Sequence, residues 1–191
     1  ALLNSLPVSL TQNKVRVIGG KWRGRVISFP NSIALRPTPN RVRETVFNWL
    51  GQDMDGKVCL DLFAGSGAMG IEAASRGSEH VVMVESDRKV YSVLQSGLQK
   101  LETDQIELLM IDALKFIKSD QRLFDVIFLD PPYQLGLLPK ILELLPSHLT
   151  QDGLIYLEAG DPFEPNENWS VWRRSQAGRV HYQLLKYEKN R

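Results

Sequence analysis

The sequence predicts a doubly wound α/β fold: a mostly parallel sheet of seven strands with helices on both faces, a C-terminal antiparallel hairpin and a basic N-terminal β-hairpin. Three observations predict it. From residue 57 onward, short apolar strands alternate with amphipathic helices. The string Ala64-Gly65-Ser66-Gly67-Ala68-Met69-Gly70 joins the first of those strands to a helix, as a ligand-cradling turn does. The last segment, WSVWRRSQAGRVHYQLLKYEK, breaks the alternation and reads as two strands joined through Gln176-Ala177-Gly178.

Taken in order, residues 14–29 (KVRVIGGKWRGRVISF) hold two β-branched runs around Gly19-Gly20, which predicts a hairpin turning at the glycine pair. A helix follows in LRPTPNRVRETVFNWLG, with Thr38 or Asn40 as its cap, Pro39 in its first turn and Gly51 at its end. Its spacing turns Val42, Val46, Trp49 and Leu50 to the core and Arg41, Arg43 and Glu44 to other faces. Strands are expected at 57–62, 80–85, 105–111, 124–129 and 153–158. Helices are expected at 67–76, 87–101 and 134–145, with a short one at 112–119. The organisation read from this is a basic extension over residues 1–52 and an α/β domain over 53–191.

Composition narrows the function classes. With 191 residues, 43% hydrophobic and 24% charged, the chain matches a single globular core and not a disordered or fibrous one. Cys59, within an apolar run and with no base beside it in sequence, reads as a core thiol. One cysteine and three scattered histidines support neither a disulfide framework nor a zinc site, so no metal is expected. No apolar run approaches the ~20 residues of a membrane span, so a cytoplasmic protein without a membrane partner is expected, and a monomer. The net charge of +1 conceals a division: residues 1–43 carry eight Lys and Arg and no acid, and the remainder carries 15 basic and 22 acidic residues. A basic arm ahead of an acidic body suggests a polyanion partner, since neutralised phosphates release condensed counterions.

The glycine loop alone fits NAD as well as S-adenosylmethionine. Glycines let the backbone approach a ligand, and Glu85, at the end of the next strand, is placed to accept ribose hydroxyls. Asp61 discriminates between the two. An anion at the strand end under the loop repels a pyrophosphate but suits the cationic amino-acid part of S-adenosylmethionine. The expected cofactor residues are therefore Asp61, Phe63, Ala64, Gly65, Gly67 and Glu85. Asp112 and Ala113, after the third strand, are expected at the adenine edge, and Asp112 also fits a helix cap.

The fourth strand delivers Asp130-Pro131-Pro132-Tyr133 to the same crevice. The prolines stiffen the turn and remove two donors, leaving carbonyls free to face a ligand. Asp130 and the Pro131 carbonyl can each accept a hydrogen from an exocyclic amine, aligning its lone pair with a methyl sulfonium. Tyr133 offers a face on which an extruded base stacks, worth ~1–3 kcal/mol. In this reading Asp130 is an ordinary ionised carboxylate, near its reference pKa of ~3.9.

These strings together resemble the bacterial 16S ribosomal RNA guanine-N2 methyltransferases of the RsmD type. The resemblance runs through Arg16-Val17-Ile18-Gly19-Gly20-Lys21-Trp22-Arg23-Gly24, Arg36-Pro37-Thr38-Pro39-Asn40-Arg41-Val42-Arg43-Glu44-Thr45, Leu60-Asp61-Leu62-Phe63-Ala64-Gly65-Ser66-Gly67 and Asp130-Pro131-Pro132-Tyr133. Asn40 departs from the family, which usually has Asp there. The resemblance implies the seven-stranded Rossmann-like methyltransferase sheet and N2 methylation of a guanine in 16S rRNA, at the position usually numbered 966. The partner it implies is 16S rRNA in the small ribosomal subunit or an assembly intermediate. With it, Arg16, Lys21, Arg23, Arg25, Arg36, Arg41 and Arg43 become the expected RNA contacts. Adenine-N6 methylation of DNA or RNA uses the same Asp-Pro-Pro-Tyr chemistry and is the nearest alternative. A nucleic-acid-binding protein without turnover is the alternative of a different class, and an NAD-dependent oxidoreductase is the third.

Overall fold

The computed structural model describes residues 14–33, 35, 37–132 and 136–188. Strands β1 (Lys14–Arg16) and β2 (Val26–Ser28) pair antiparallel, Lys14 opposite Ser28. Gly19-Gly20 is not the two-residue turn itself: the connection spans residues 17–25, and its tight turn falls just beyond the pair, where the Arg23 N–H donates to the Gly20 carbonyl at 3.2 Å. The glycines serve close packing instead. A Cβ on Gly20, whose φ is +79°, would lie 1.9 Å from the Ser75 carbonyl oxygen, to which the Lys21 N–H donates at 2.8 Å.

Helix α1 (Asn40–Trp49) is capped at Pro39 with no side-chain cap bond. Thr38 and Asn40 do not cap it because their side chains are committed elsewhere. The Thr38 hydroxyl donates to Glu158 at 2.9 Å, and the Asn40 side-chain carbonyl accepts from Arg43. Val42, Val46 and Phe47 are buried, and half-buried Trp49 stacks on Tyr182 with centroids 5.3 Å apart. Arg43 corrects the sequence reading twice over. It is only 1% exposed, so it faces the interior and is withdrawn from the phosphate-contacting set. Its guanidinium pairs with the fully buried Glu72 at 3.0 Å, and its Nε donates to the Thr38 carbonyl at 3.2 Å.

The α/β body follows as β3 (Val58–Asp61), α2 (Ala68–Ser75), β4 (His80–Val84), α3 (Arg88–Gln99), β5 (Ile106–Leu109), α4 (Ala113–Ser119), β6 (Phe124–Leu129), α5 (Leu137–Leu144), β7 (Leu149–Ala159), β8 (Trp169–Ala177) and β9 (Val180–Tyr187). The sheet order is β5-β4-β3-β6-β7-β9-β8, parallel through β7 and antiparallel in the hairpin, whose final strand lies between β7 and the edge. Gly178, with φ +58°, supplies the hairpin turn. Alternation along the strands makes two cores. One face packs Cys59, Met83, Phe128 and Tyr156 beneath α1, α2 and the arm residues Val15, Trp22 and Ile27. The other packs Leu60, Val82, Ile127 and Leu157 beneath α4 and α5. Cys59 is fully buried and its thiol is pushed up to about 12, chiefly by burial, so it is no nucleophile at neutral pH.

Candidate active site

Sheet order reverses between β3 and β6, and the carboxyl ends of strands beside such a switch open a crevice. A cavity of about 910 Å³ lies there. Strand register decides what faces it. Asp61 of β3 pairs with Phe128 of β6, which pairs with Tyr156 of β7, so the three share a row and a face. Two residues on, the same face presents Asp130 and Glu158.

The loop between β3 and α2 sets the floor. Gly67 takes φ +76° as the N-cap of α2, and an added Cβ would lie 2.8 Å from a Leu94 methyl. Gly70 packs against Asp61, whose Oδ2 accepts the Gly70 N–H at 3.1 Å. Burial pushes the Asp61 carboxyl up to about 7, opposed by that N–H and reinforced by the charges of Glu85 and Glu158. Glu85 is oriented by two backbone donors, Gly65 at 3.0 Å and Asp87 at 2.8 Å, with its carboxylate on the cavity wall. Asp112 caps α4 by accepting from the Lys115 N–H at 3.1 Å and also lines the cavity, so capping the helix does not remove it from the site. Phe63, Ala64, Gly65 and Ala113 line the same space, whereas Gly67 stands behind it.

Asp130, Pro131 and Pro132 line the cavity from the β6 end. Tyr133 lies outside the described residues, as does Arg36. Glu158, which the sequence reading passed over, is the partner of Asp130. Its Oε2 accepts from Thr38 Oγ1 at 2.9 Å and from the Tyr156 hydroxyl at 3.1 Å, and the strand register sets its carboxyl beside that of Asp130. No local pattern in the sequence marks Glu158, since its place beside Asp130 comes from the register between β6 and β7. Asp130 is therefore not the ordinary carboxylate expected from its type. The protein crowded around it, then the charges of Glu158 and Asp61, raise it well above the usual range, although the side chain still meets water through the cavity mouth. Burial raises Glu158 as well, and the Thr38 and Tyr156 hydroxyls oppose the rise.

Charge balance identifies what suits this cavity. Asp61, Glu85, Asp112, Asp130, Glu158 and Asp161 line it, and among the described lining residues there is no Lys, Arg or His. A pyrophosphate finds no cationic partner here. A ligand with an ammonium and a sulfonium relieves the buried Asp61 and fits the donor set, with Phe63, Met69 and Ile111 as apolar surface for a purine. When bound, S-adenosylmethionine supplies an electrophilic methyl group. Asp61 would hold its ammonium, and Glu85 its ribose hydroxyls.

The basic arm lies elsewhere. Arg16, Lys21, Arg23, Arg25 and Arg41 are exposed. Lys21 hydrogen-bonds Gln105 and Arg25 donates to the Lys100 carbonyl at 2.9 Å. The Lys21 backbone sits at the C-terminal end of α2, about 12 Å along that helix from the glycine loop at 1.5 Å per residue. Arg41, in the first turn of α1 beside the cavity-lining Pro39, is nearer the mouth.

Comparison with known proteins accords with this geometry. Residues 15–186 match the protein family described as conserved hypothetical protein 95. The chain is 40% identical to ribosomal RNA small subunit methyltransferase D of Escherichia coli strain K12, over 92% of this chain and 91% of that one. Identity to the Haemophilus influenzae protein of the same name is also 40%, over 91% of this chain and 94% of that one. Among solved structures, an Escherichia coli chain provisionally described as a methyltransferase superposes with a TM-score of 0.82 at 39% identity, covering 92% of this chain and 98% of that one. A Streptococcus mutans methyltransferase, at 15% identity and TM-score 0.65 over 85% of this chain and 50% of that one, shares the fold.

Proposed function

Because the chain belongs to the ribosomal RNA small subunit methyltransferase D family, we propose that it methylates the exocyclic N2 amine of a guanine in 16S ribosomal RNA. Its activity class is S-adenosylmethionine-dependent methylation of ribosomal RNA. The observation that supports the reading most is the carboxyl-lined cavity free of basic side chains among its described residues, with Asp61 on one wall and Asp130 on another.

In this reading Asp130 and the Pro131 carbonyl hold the two amine hydrogens and direct the nitrogen lone pair at the methyl carbon. The rigid Pro131-Pro132 turn fixes the distance, and the guanine is turned out of its stack to reach them. Residues 53–191 form the methyl-transferring part, and residues 1–52 the extension that grips RNA. Incubation with labelled S-adenosylmethionine and, separately, 16S rRNA, small subunits, adenine-rich RNA and duplex DNA, followed by nucleoside analysis, tests this. N2-methylguanine from rRNA or subunits is expected. N6-methyladenine instead would assign the adenine chemistry, and binding without transfer would leave a nucleic-acid-binding protein.

Glu85→Ala is expected to raise the dissociation constant for S-adenosylmethionine about tenfold or more, since hydrogen bonds to a charged acceptor are worth roughly 1.5–3 kcal/mol. Calorimetry showing an unchanged constant would remove Glu85 from the cofactor site. For the arm, Arg23→Ala with Arg25→Ala is expected to raise the apparent KM for RNA and flatten the salt dependence of binding by ~0.7–0.9 log units per lost phosphate contact, leaving cofactor affinity unchanged. A wild-type salt slope would move the RNA footprint to Arg16 and Arg41. Lying about 12 Å from the glycine loop along α2, Lys21 and its neighbours would grip phosphates flanking the target nucleotide, not those of the target itself.

A further inference from the structure

We propose that Glu158 is the proton-accepting and positioning partner of Asp130 in this active site, and that Thr38 ties its state to the N-terminal segment. The proposal rests on the reading of the site as an exocyclic-amine methyltransferase. Its basis is geometric. The parallel register of β6 and β7 runs through Leu129 opposite Leu157, which brings Asp130 beside Glu158 one residue further on. Glu158 is 8% exposed and cannot turn away to solvent. One of its oxygens is held by Thr38 at 2.9 Å and Tyr156 at 3.1 Å, both donors, and Asp130 stands beside it on the neighbouring strand. Thr38 and Tyr156 thus both donate to Glu158, the arrangement of a fixed acceptor.

Two carboxyls side by side, one of them buried, repel each other when both are ionised, so in this proposal the pair holds one proton and a net charge of −1. Asp130 carries that proton on the oxygen facing Glu158, and its other oxygen is free to accept a hydrogen from the amine. As the nitrogen lone pair forms the new N–C bond, the C–S bonding pair returns to sulfur and the nitrogen is left with one proton too many. That proton passes to the free oxygen of Asp130 while the Asp130 hydroxyl proton moves to Glu158. Both carboxyls end neutral and the methylated amine ends uncharged. The pair then returns one proton to water through the cavity mouth.

The titratable groups facing the pair are Asp61 from β3, Tyr156 on β7 itself and Tyr182 from β9, with Glu85 acting on Asp61 from beyond β4. No cation stands among the described lining residues. The form ready for transfer requires Glu158 unprotonated, so the acid limb of the single-turnover rate reports the titration of Glu158. The two substitutions should move that limb oppositely. Thr38→Val removes a donor from the carboxylate, which raises the Glu158 pKa and carries the limb to higher pH. Glu158→Gln removes the charge that holds the Asp130 proton, so Asp130 ionises sooner and the limb moves to lower pH, with the rate lowered tenfold or more. Thr38→Ser keeps the hydroxyl and should restore the wild-type limb.

A readout independent of turnover is the infrared band of protonated carboxyl groups in the ligand-free protein near neutral pH. It should diminish in Glu158→Gln and equally in Asp130→Asn, because either change lets the remaining carboxyl ionise. Should Glu158→Gln not fold, the Thr38 series decides alone. Unmoved acid limbs in an active enzyme, or Thr38→Ser behaving as Thr38→Val does, would overturn the proposal. A wild-type protein that transfers no methyl to RNA overturns the functional reading beneath it, and this proposal with it.

Discussion

Asp130→Ala is expected to lower the methyl-transfer rate by about two to three orders of magnitude, the cost of losing one preorganised acceptor at the reacting centre. Cofactor affinity should stay within about twofold of wild type. The reason for the separation is spatial. Asp61 and Glu85, the carboxylates assigned to the cofactor, are set by the backbone N–H groups of Gly70, Gly65 and Asp87, bonds to which Asp130 contributes nothing. Nor should the fold suffer, because Glu158 keeps Thr38 and Tyr156 as donors when the Asp130 carboxyl is gone. Single-turnover transfer measured beside calorimetric binding checks both halves. A parallel loss of binding in a folded variant would place Asp130 in the cofactor site instead.

The largest effect on stability is expected far from the chemistry, at Glu72. This carboxylate is fully buried on α2 and joins that helix to the arm and to α1. It accepts from the backbone N–H groups of Ile18 and Gly19, both at 2.9 Å, pairs with Arg43 at 3.0 Å and with Arg76 at 2.9 Å. Burial already lowers the Arg43 pKa, so its guanidinium depends on Glu72 for compensation. Glu72→Ala leaves a buried cation and two backbone donors unpaired. The expected cost is about 3–5 kcal/mol, a fall in Tm on the order of 10 °C for a chain of this size. Thermal unfolding followed by circular dichroism measures it, and a loss below about 1 kcal/mol would show the network to be dispensable. Arg43→Met, which removes the cation while keeping much of the volume, should cost less than Glu72→Ala, since no buried charge is stranded on the guanidinium side.

That network accounts for one of the strings by which the family is recognised. The Thr38 carbonyl receives Arg43 and its hydroxyl reaches Glu158, so Arg43 and Thr38 hold the approach to the cavity from opposite ends. Arg43 belongs to structure where its residue type and neighbours had suggested RNA. A run of basic residues shows charge along the chain and not direction in space, and helical periodicity gave Arg43 to a polar face because periodicity has no means of foreseeing a buried acid on another helix.

The sequence by itself determined the strand and helix alternation, the glycine loop with Asp61 beneath it, Glu85 at the end of the next strand and Asp130 at the end of the fourth. These were legible because each rests on local chemistry: side-chain period, left-handed glycine backbone and a strand end that must open into a crevice. The hairpin turn was misplaced for the converse reason. Gly19-Gly20 suited a turn locally, but the space it spares is occupied by the carbonyl of Ser75, more than fifty residues away in the chain. Only the tertiary structure placed Glu158 against Asp130, since that neighbourhood comes from the register between β6 and β7 and not from any spacing within either. The upward shift of the Asp130 carboxyl was decided in the same way. A carboxylate's type fixes its pKa in water, whereas the desolvation and like charges that shift it are properties of the assembled sheet.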